Sequence, residues 1–463
     1  MAEVVNATDI EVAKNKGRLK HPAGLYLLFC TEMWERFSYY GLRALLTLYL
    51  TASFVTGGLG YDVSTAATIY GVYTGLVYFT PIIGGELADR YLGQKKSVVL
   101  GAAIMILGNL TLFAWQSRIA LYVGLGLLII GNGFFKPNIS TMVGQLYEDG
   151  DKRKDSAFTI FYMGINLGSF IAPLICGFLA ESFFATKSGE IILHYGFRYG
   201  FLAAAIGIIL GEIIFITLSP KYLKNIGEEK KVVVKENVVK ENKPLTKQEK
   251  KRIAVILILA SFVIFFWVGF EQAGTTLTIF AEKTTNREIF GWTVPVAFFQ
   301  SINPIFILLL APIFSKIWLK LANSKRGDLS IPTKMAFGLI SLGIAFLIMV
   351  GATVLSGNNI ANPAVKVSML WLVGTYLFNT IGELCLSPIG LSMVSSLAPV
   401  KYASLLMGVW LASNGVANYL SGFIASFVGK LGALELFASI SGVSIVLGLI
   451  LLLLSKKITA MME

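Results

Sequence analysis

Long apolar stretches separated by short polar loops set the pattern of this chain. Twelve stretches are long enough to cross a hydrocarbon core of about 30 Å, which takes about 20 residues of helix. Strands of a membrane barrel would alternate apolar and polar positions over about 10 residues, and these stretches do not alternate. The pattern therefore predicts an all-α membrane protein with twelve transmembrane helices. The approximate spans are 24–53, 66–87, 97–116, 119–146, 157–180, 198–218, 253–282, 290–315, 333–355, 366–396, 402–428 and 432–455.

The longest polar segment, Ser219–Arg252, is rich in Lys and Glu and separates six predicted spans from six. It predicts a charged cytoplasmic linker between two six-helix bundles, residues 24–218 and 253–455. Residues 1–23 are expected to be a cytoplasmic N-terminal segment, and residues 456–463 a cytoplasmic tail. Two halves of this kind, with a substrate site between them near the bilayer midplane, are a recurrent plan of transporters.

Composition and charge agree with a membrane location. Hydrophobic residues make up 55% of the chain and charged residues 14%, whereas a soluble domain carries roughly 25% charged residues. Most of the 39 Lys and Arg residues fall in alternate loops and in the linker, so the positive-inside rule places both termini in the cytoplasm. These residues face anionic lipid headgroups, so the net charge of +12 indicates no nucleic-acid partner.

The chain shows no pattern of catalysis. Its three cysteines, Cys30, Cys176 and Cys385, each lie within an apolar run, without the spacing of a metal site or a disulfide framework. A nucleophile–base pair and a nucleotide-binding loop are also missing. We therefore expect neither an enzyme nor a metal site.

Charged residues inside the first span are the strongest functional signal. A charge at the bilayer centre costs at least about 2.5–3.5 kcal/mol, so it normally faces a partner or an aqueous cavity. An internal pair between Glu32 and Arg36 would explain two of these charges but leaves Glu35 and Arg43. At helical spacing, one face carries Glu32, Arg36, Tyr39, Tyr40 and Arg43.

The charges in other spans suggest what the cavity binds. Arg43 and Lys136 belong to the first half, and Glu271 and Glu383 belong to the second. A cavity between the halves would have one positive and one negative wall, which suits a zwitterion. A dipeptide spans up to about 7 Å and a tripeptide about 10 Å. Aromatic side chains could accept varied substrate side chains by apolar contact; they are Tyr39, Tyr40, Tyr78, Trp267 and Trp410.

Carboxylates must carry any coupled proton, because the two histidines, His21 and His194, lie outside the spans. Burial disfavours the charged form of a carboxylate, and a nearby guanidinium favours it. A Glu that is alternately paired with Arg and unpaired is therefore a natural proton switch.

Several motifs resemble those of one known family. Glu32-x-x-Glu-Arg-Phe-x-Tyr-Tyr40 and Phe161-Tyr-x-x-Ile-Asn-Leu-Gly168 resemble the first- and fifth-helix signatures of the proton-dependent oligopeptide transporters, within the major facilitator superfamily. Gly85-Glu-Leu-Ala-Asp-Arg-Tyr-Leu-Gly-Gln-Lys-Lys96 is similar to the loop motif of that superfamily. Phe-Phe-Lys136-Pro-Asn, Phe-Trp267-x-x-Phe-Glu271-Gln and Gly-Glu383-Leu-x-x-Ser-Pro also match family positions. One departure is that Ser219–Arg252 has no room for the two additional helices that many bacterial relatives carry there.

The resemblance implies a major facilitator fold and a proton-coupled symporter that imports di- and tripeptides by alternating access. Such a protein would be a multi-pass monomer of the cell inner (plasma) membrane, with protons as the coupling ion and no other cofactor. Arg43 and Lys136 would hold the peptide carboxylate, and Glu383, with Asn166 and Asn303, the amino end. The pocket would be lined by Tyr39, Tyr40, Tyr78, Trp267 and Trp410. Proton coupling would involve Glu32, Glu35, Arg36 and Glu271, the last as a proton acceptor that pairs with Arg43.

Two alternatives stay open. One is a transporter of the same fold that carries another anion or a peptide-like metabolite. Tyr40, Asn166 and Glu383 together argue against a simple anion, because an anion needs no acidic partner. The other is a non-transporting membrane receptor for peptides.

Overall fold

The structure is a computed structural model that is almost entirely helical. It describes residues 20–148, 151, 153–189, 191–224, 226–228, 245–324, 327–360, 362–399 and 402–462. The centre of the predicted linker and most of the predicted N-terminal segment lie outside these residues. The division of the chain into 24–218, 219–252 and 253–455 therefore stays a prediction.

Six long helices precede the linker region. Asp62 and Ser117 cap the second and fourth of them, since their side chains accept hydrogen bonds from the backbone amides of Thr65 and Ala120. The helices are α1 Ala23–Thr51, α2 Val63–Leu87, α3 Gln94–Ala114, α4 Arg118–Gln145, α5 Arg153–Phe178 and α6 Phe197–Tyr222. A π-helical turn extends α2 over Ala88–Leu92, and another extends α5 over Leu179–Phe183.

The second set of helices begins with a capping box, in which Thr246 and Glu249 bond each other's backbone amides. The helices are α7 Lys247–Phe270, α8 Thr276–Lys283, α9 Ile302–Ala322, α10 Ile331–Leu355, α11 Leu370–Leu397, α12 Ala403–Ala425, α13 Val428–Leu431 and α14 Ala433–Met462. Short 3-10 segments, Glu271–Gly274 and Val296–Ser301, precede α8 and α9.

The predicted span 253–282 is two helices, because the α-helix is interrupted by the 3-10 segment Glu271–Gly274. A side chain at Gly274 would overlap the hydroxyl of Tyr70 on α2, so only glycine fits against that helix. The break also frees the carbonyl of Gly274, which accepts a hydrogen bond of 2.5 Å from the Thr47 hydroxyl on α1. The irregular turn therefore joins the two sets of helices.

The loops contain short strands that the apolar pattern does not predict. β1 Thr186–Ser188 pairs antiparallel with β2 Ile191–His194. β3 Thr285–Asn286 pairs parallel with β6 Val367–Ser368, and β4 Glu288–Ile289 pairs antiparallel with β5 Trp292–Thr293. The predicted span 290–315 begins too early, because its first apolar residues form the β4–β5 hairpin, whose turn has positive φ at Phe290 and Gly291.

Ten helices in the described part of the chain are long and apolar enough to cross a membrane. α1 falls outside that set because it carries Glu32, Glu35, Arg36 and Arg43, and α12 because its polar residues lower its hydropathy. α1 packs against α5 and α6, and α10 packs against α11 and α14. Charged α1 is thus surrounded by protein, which is the usual place for charge at membrane depth.

Small residues let the two sets of helices approach each other. α2 meets α12 where Gly71 faces Gly422 and Gly75 faces Gly415, without side chains to separate the backbones. The end of α5 also meets the Val296–Ser301 segment, where Gly177 packs against Ala297. This contact lies at the end of the bundle where α1 ends, which we call the closed end.

Candidate functional site

A cavity of about 260 Å³ lies between the two sets of helices. Tyr78 and Tyr162 on its wall are 37% and 45% exposed, so water reaches the cavity from the side opposite the closed end. Eight residues predicted to act in the site border it: Tyr40, Arg43, Tyr78, Asn166, Trp267, Glu271, Asn303 and Glu383.

A buried ion pair joins the two halves at the closed end of the cavity. Arg43 on α1 donates through Nη2 to Glu271, the first residue of the break after α7. Arg43 also donates from Nε to the hydroxyl of Tyr70 at 2.5 Å, and its guanidinium lies 5.7 Å from the centre of the Tyr40 ring. Both charged side chains are at most 7% exposed. The two buried charges therefore neutralise each other across the two sets of helices.

The opposite wall carries a carboxylate without a cation. Glu383 on α11 accepts a hydrogen bond of 2.9 Å from the amide of Asn303, which also donates to Thr380 at 3.0 Å. Among the described residues, no Lys or Arg lies within ion-pair distance of Glu383. A buried carboxylate in this position fits a cationic group of a ligand.

A second charged cluster lies between α1 and α4. Arg36 bonds both carboxylate oxygens of Glu35, at 2.5 and 2.7 Å, and lies 3.4 Å from Glu32. Lys136 donates to Glu32, and the amide of Asn132 donates to Glu35 at 3.3 Å. Two cations and two carboxylates neutralise one another, which makes their burial tolerable.

This cluster does not border the cavity itself. Its link to the cavity is aromatic: the Arg36 guanidinium lies 5.0 Å from the centre of the Tyr39 ring, and Tyr39 packs edge-on against Tyr40 at 5.1 Å. Lys136, predicted to hold a carboxylate, is engaged by Glu32 in this conformation. Tyr39 and the indole of Trp410, which packs against Gly390, also do not border the cavity.

A third connection between the two sets of helices was not predicted from the sequence. Glu181, in the π turn after α5, accepts hydrogen bonds from the backbone amides of Val296 and Ala297, at 2.7 and 3.0 Å. The carboxylate therefore caps the segment that leads into α9 and interacts favourably with the helix dipole. The only indication of Glu181 in the sequence is its position at the end of a predicted span.

Tyr162, Tyr376 and Asn379 also border the cavity, and Tyr70 holds one of its charges, although none of the four is among the predicted site residues. Helical spacing does indicate Tyr162, one turn before Asn166, and Asn379, one turn before Glu383, while Tyr376 lies two turns before Glu383. Tyr70 carried no local signal, because only the packing of α2 brings it to Arg43. The described residues contain no cluster of three His, Cys, Asp or Glu side chains that could hold a metal ion.

Comparison with known proteins places the chain among membrane transporters. A family model described as the POT family matches residues 95–240 and 221–438. The uncharacterized transporter YclF of Bacillus subtilis is 36% identical, over 100% of this chain and 99% of its own length. The peptide transporter YePEPT of Yersinia enterocolitica is 33% identical, over 96% of each chain.

Solved structures agree with these sequence matches. A peptide transporter crystallised with alafosfalin superposes with a TM-score of 0.85 at 34% identity, covering 96% of this chain and 97% of its own. A transporter crystallised with 5-aminolevulinic acid superposes with a TM-score of 0.83 at 33% identity, covering 96% and 98%.

Proposed function

The chain belongs to the POT family, and from that premise we propose that it imports di- and tripeptides together with protons. It is a transporter and not an enzyme, and a multi-pass protein of the cell membrane. Transporters of this family need no cofactor, and the proton is their coupling ion. The observation that carries the substrate proposal is the cavity itself, with Arg43 at one end and the cation-free carboxylate of Glu383 on its wall.

Substrate binding would use these two charges first. The peptide carboxylate would bind Arg43, and the amino end would bind Glu383 with help from Asn303 and Asn166. Tyr40, Tyr78 and Trp267 would contact substrate side chains through ring faces, which suits varied side chains. Trp410 and Tyr39 would support these rings from behind.

Proton coupling would act through the Arg43–Glu271 pair. A proton on Glu271 removes the attraction that holds Arg43, so the guanidinium becomes available to a carboxylate. Proton and peptide then bind with positive coupling, and each raises the affinity for the other by the same factor.

The α1–α4 cluster would supply a second coupling step. A proton on Glu32 would release Lys136, which could then bind the peptide carboxylate beside Arg43. Glu35 and Arg36 would keep the remaining charges neutral during this exchange. This role requires Lys136 to move, since Glu32 holds it away from the cavity in the present conformation.

The finer architecture is also part of the proposal. Adding α1 and α12 to the ten apolar helices gives twelve spans in two bundles, with α7 and α8 forming one broken span. The distribution of Lys and Arg supports cytoplasmic termini, and with that orientation the closed end would lie outside. The cavity then faces the cytoplasm, and transport proceeds by alternating access in a monomer.

Uptake of labelled Ala-Ala into proteoliposomes tests the proposal. Moving one proton down about 150 mV supplies roughly 3.5 kcal/mol, which could concentrate peptide on the order of 300-fold. We expect a protonophore to abolish accumulation while exchange of internal for external peptide persists. Accumulation that survives the protonophore would refute proton coupling. Failure to bind peptide would favour another substrate, and binding without exchange would favour a receptor.

A further inference from the structure

One wall of the cavity is a single stripe of α11. Tyr376, Asn379 and Glu383 all border the cavity from this helix. At 1.5 Å per residue, Asn379 lies about 6 Å and Tyr376 about 10 Å along the axis from Glu383. α11 begins just after β6, which pairs with β3 in the loop before the Val296–Ser301 segment of the closed end, so the Tyr376 end of the stripe is the Arg43 end of the cavity. Asn379 therefore lies between the group proposed to bind the amino end and the group proposed to bind the carboxylate.

The side chain of Asn379 has unused hydrogen-bonding capacity. It is 1% exposed, and neither its amide nitrogen nor its amide oxygen has a hydrogen-bond partner among the residues that the structure describes. Asn166 and Asn303, which border the same cavity, both donate hydrogen bonds, to Tyr162 and to Thr380 and Glu383. A buried amide without partners is costly and calls for an explanation. Its place at the cavity wall points to a bound molecule as the partner.

We propose that Asn379 is the subsite that recognises the peptide bond, an inference that rests on the proposed function. Its Oδ1 accepts the N–H of the peptide bond. Its Nδ2 donates to the oxygen of the same substrate residue, which is the carboxylate of a dipeptide or the next carbonyl of a tripeptide. In an extended chain, these two groups of one residue point to the same side, so one amide side chain can bond both. The contact requires the Asn379 amide to rotate into the cavity that it borders.

Such a contact explains how a site can select di- and tripeptides as a class and still accept many different side chains. Every di- and tripeptide carries this N–H whatever its side chains are. A molecule of equal length with equal charges but without the N–H would leave Oδ1 of Asn379 unpaired. A site that is built to bond a polar group discriminates against ligands that lack it.

Two small molecules isolate this N–H. Gly-Gly and 5-aminolevulinic acid have the same chain length and the same ammonium and carboxylate ends. Both carry a carbonyl at the same position, as an amide in Gly-Gly and as a ketone in 5-aminolevulinic acid. They differ only where the peptide nitrogen with its hydrogen is replaced by a methylene group. We would measure the affinity of the purified protein for each, by competition with labelled Ala-Ala, and take the ratio of the two.

The wild-type protein should bind Gly-Gly about tenfold more tightly than 5-aminolevulinic acid, as expected for one hydrogen bond that leaves a buried group unpaired. Asn379→Leu removes the Nδ2 contact to the carboxylate from both molecules, but the Oδ1 contact to the N–H only from Gly-Gly. The variant should therefore weaken Gly-Gly about tenfold more than 5-aminolevulinic acid and bring the ratio close to one. Asn379→Ala serves as a second variant in case the bulkier residue impairs folding. Asn418→Leu is the matched control, since Asn418 is equally buried with an unpaired oxygen but lies outside the cavity wall.

The proposal is overturned if wild type binds the two molecules equally, or if the Asn379 variants keep the wild-type ratio. A parallel loss of both ligands would also overturn it, because it would show a structural role for Asn379. These outcomes differ from failure of the proposed function, in which wild type would not bind Ala-Ala at all.

Discussion

Replacing Glu271 with Gln tests whether the Arg43–Glu271 pair is the proton switch. Gln has nearly the shape of a protonated Glu and carries no charge, so the variant fixes the released state of Arg43. Both side chains are buried and the pair joins α1 to the break after α7. We expect the variant to bind and exchange dipeptide but to lose proton-driven accumulation.

The expected pH dependence of the dipeptide affinity follows from the linkage between proton binding and peptide binding. If peptide binding takes up one proton, affinity changes by at most about tenfold per pH unit. Wild type binds better in the protonated form, so its affinity should rise as pH falls through the working range. In Glu271→Gln the linked proton is absent, and the same plot should be nearly flat.

Dipeptide affinity would be measured against pH by titration calorimetry in detergent, for wild type and three variants. Arg43→Ala should lose both binding and exchange, because the carboxylate loses its partner. Glu288→Gln, on the exposed β4 strand, is the control that should retain the wild-type slope. If Glu271→Gln retains the full wild-type pH dependence, the switch lies elsewhere, at Glu32 or Glu35, and the assignment of Glu271 is wrong.

Three further predictions follow from individual contacts. Glu383→Gln should weaken ordinary dipeptides at least tenfold more than peptides with a blocked amino end, because the lost charge faces the ammonium group; equal losses in a competition assay would disprove that role. Gly274→Ala should abolish uptake, since the added methyl would overlap both the Tyr70 hydroxyl and the ring carbon that carries it. Gly442→Ala, with open space around it, is the matched control, and equal uptake by the two variants would disprove the tight packing at Gly274. Glu181→Gln should weaken the closed end and increase labelling of cysteines placed at that end, and unchanged labelling would show that this cap does not hold the halves together.

Hydropathy predicted most helices because a chain in lipid must satisfy its backbone hydrogen bonds internally. The span predicted at 333–355 is the helix Ile331–Leu355, and the one predicted at 119–146 is Arg118–Gln145. The break at Glu271–Gly274 could not be predicted in the same way. It depends on the Tyr70 hydroxyl, which packs against Gly274 from a distant part of the chain.

The identity of the charged residues in the site was readable, but their partners were not. Helical spacing favours a pair between Glu32 and Arg36, yet Arg36 bonds Glu35 more closely and Glu32 is taken by Lys136. Lys136 comes from α4, and its approach to α1 is a property of the packed bundle. Sequence spacing describes one helix at a time, so it cannot choose between a partner on the same helix and one on a neighbour.

The Glu32–Lys136 and Arg43–Glu271 pairs differ in whether they must break during transport. The Glu32–Lys136 pair lies within the first half, so it can persist while the halves move. The Arg43–Glu271 pair joins the halves, so opening the closed end must break it.

Breaking a buried pair and leaving one charge unpaired costs about 3–5 kcal/mol. One proton moving down about 150 mV supplies roughly 3.5 kcal/mol, which leaves little for concentrating substrate if that cost recurs in every cycle. We therefore propose that the pair opens with Glu271 neutralised by a proton and Arg43 neutralised by the substrate carboxylate. Coupling then follows from the requirement that neither charge is exposed alone.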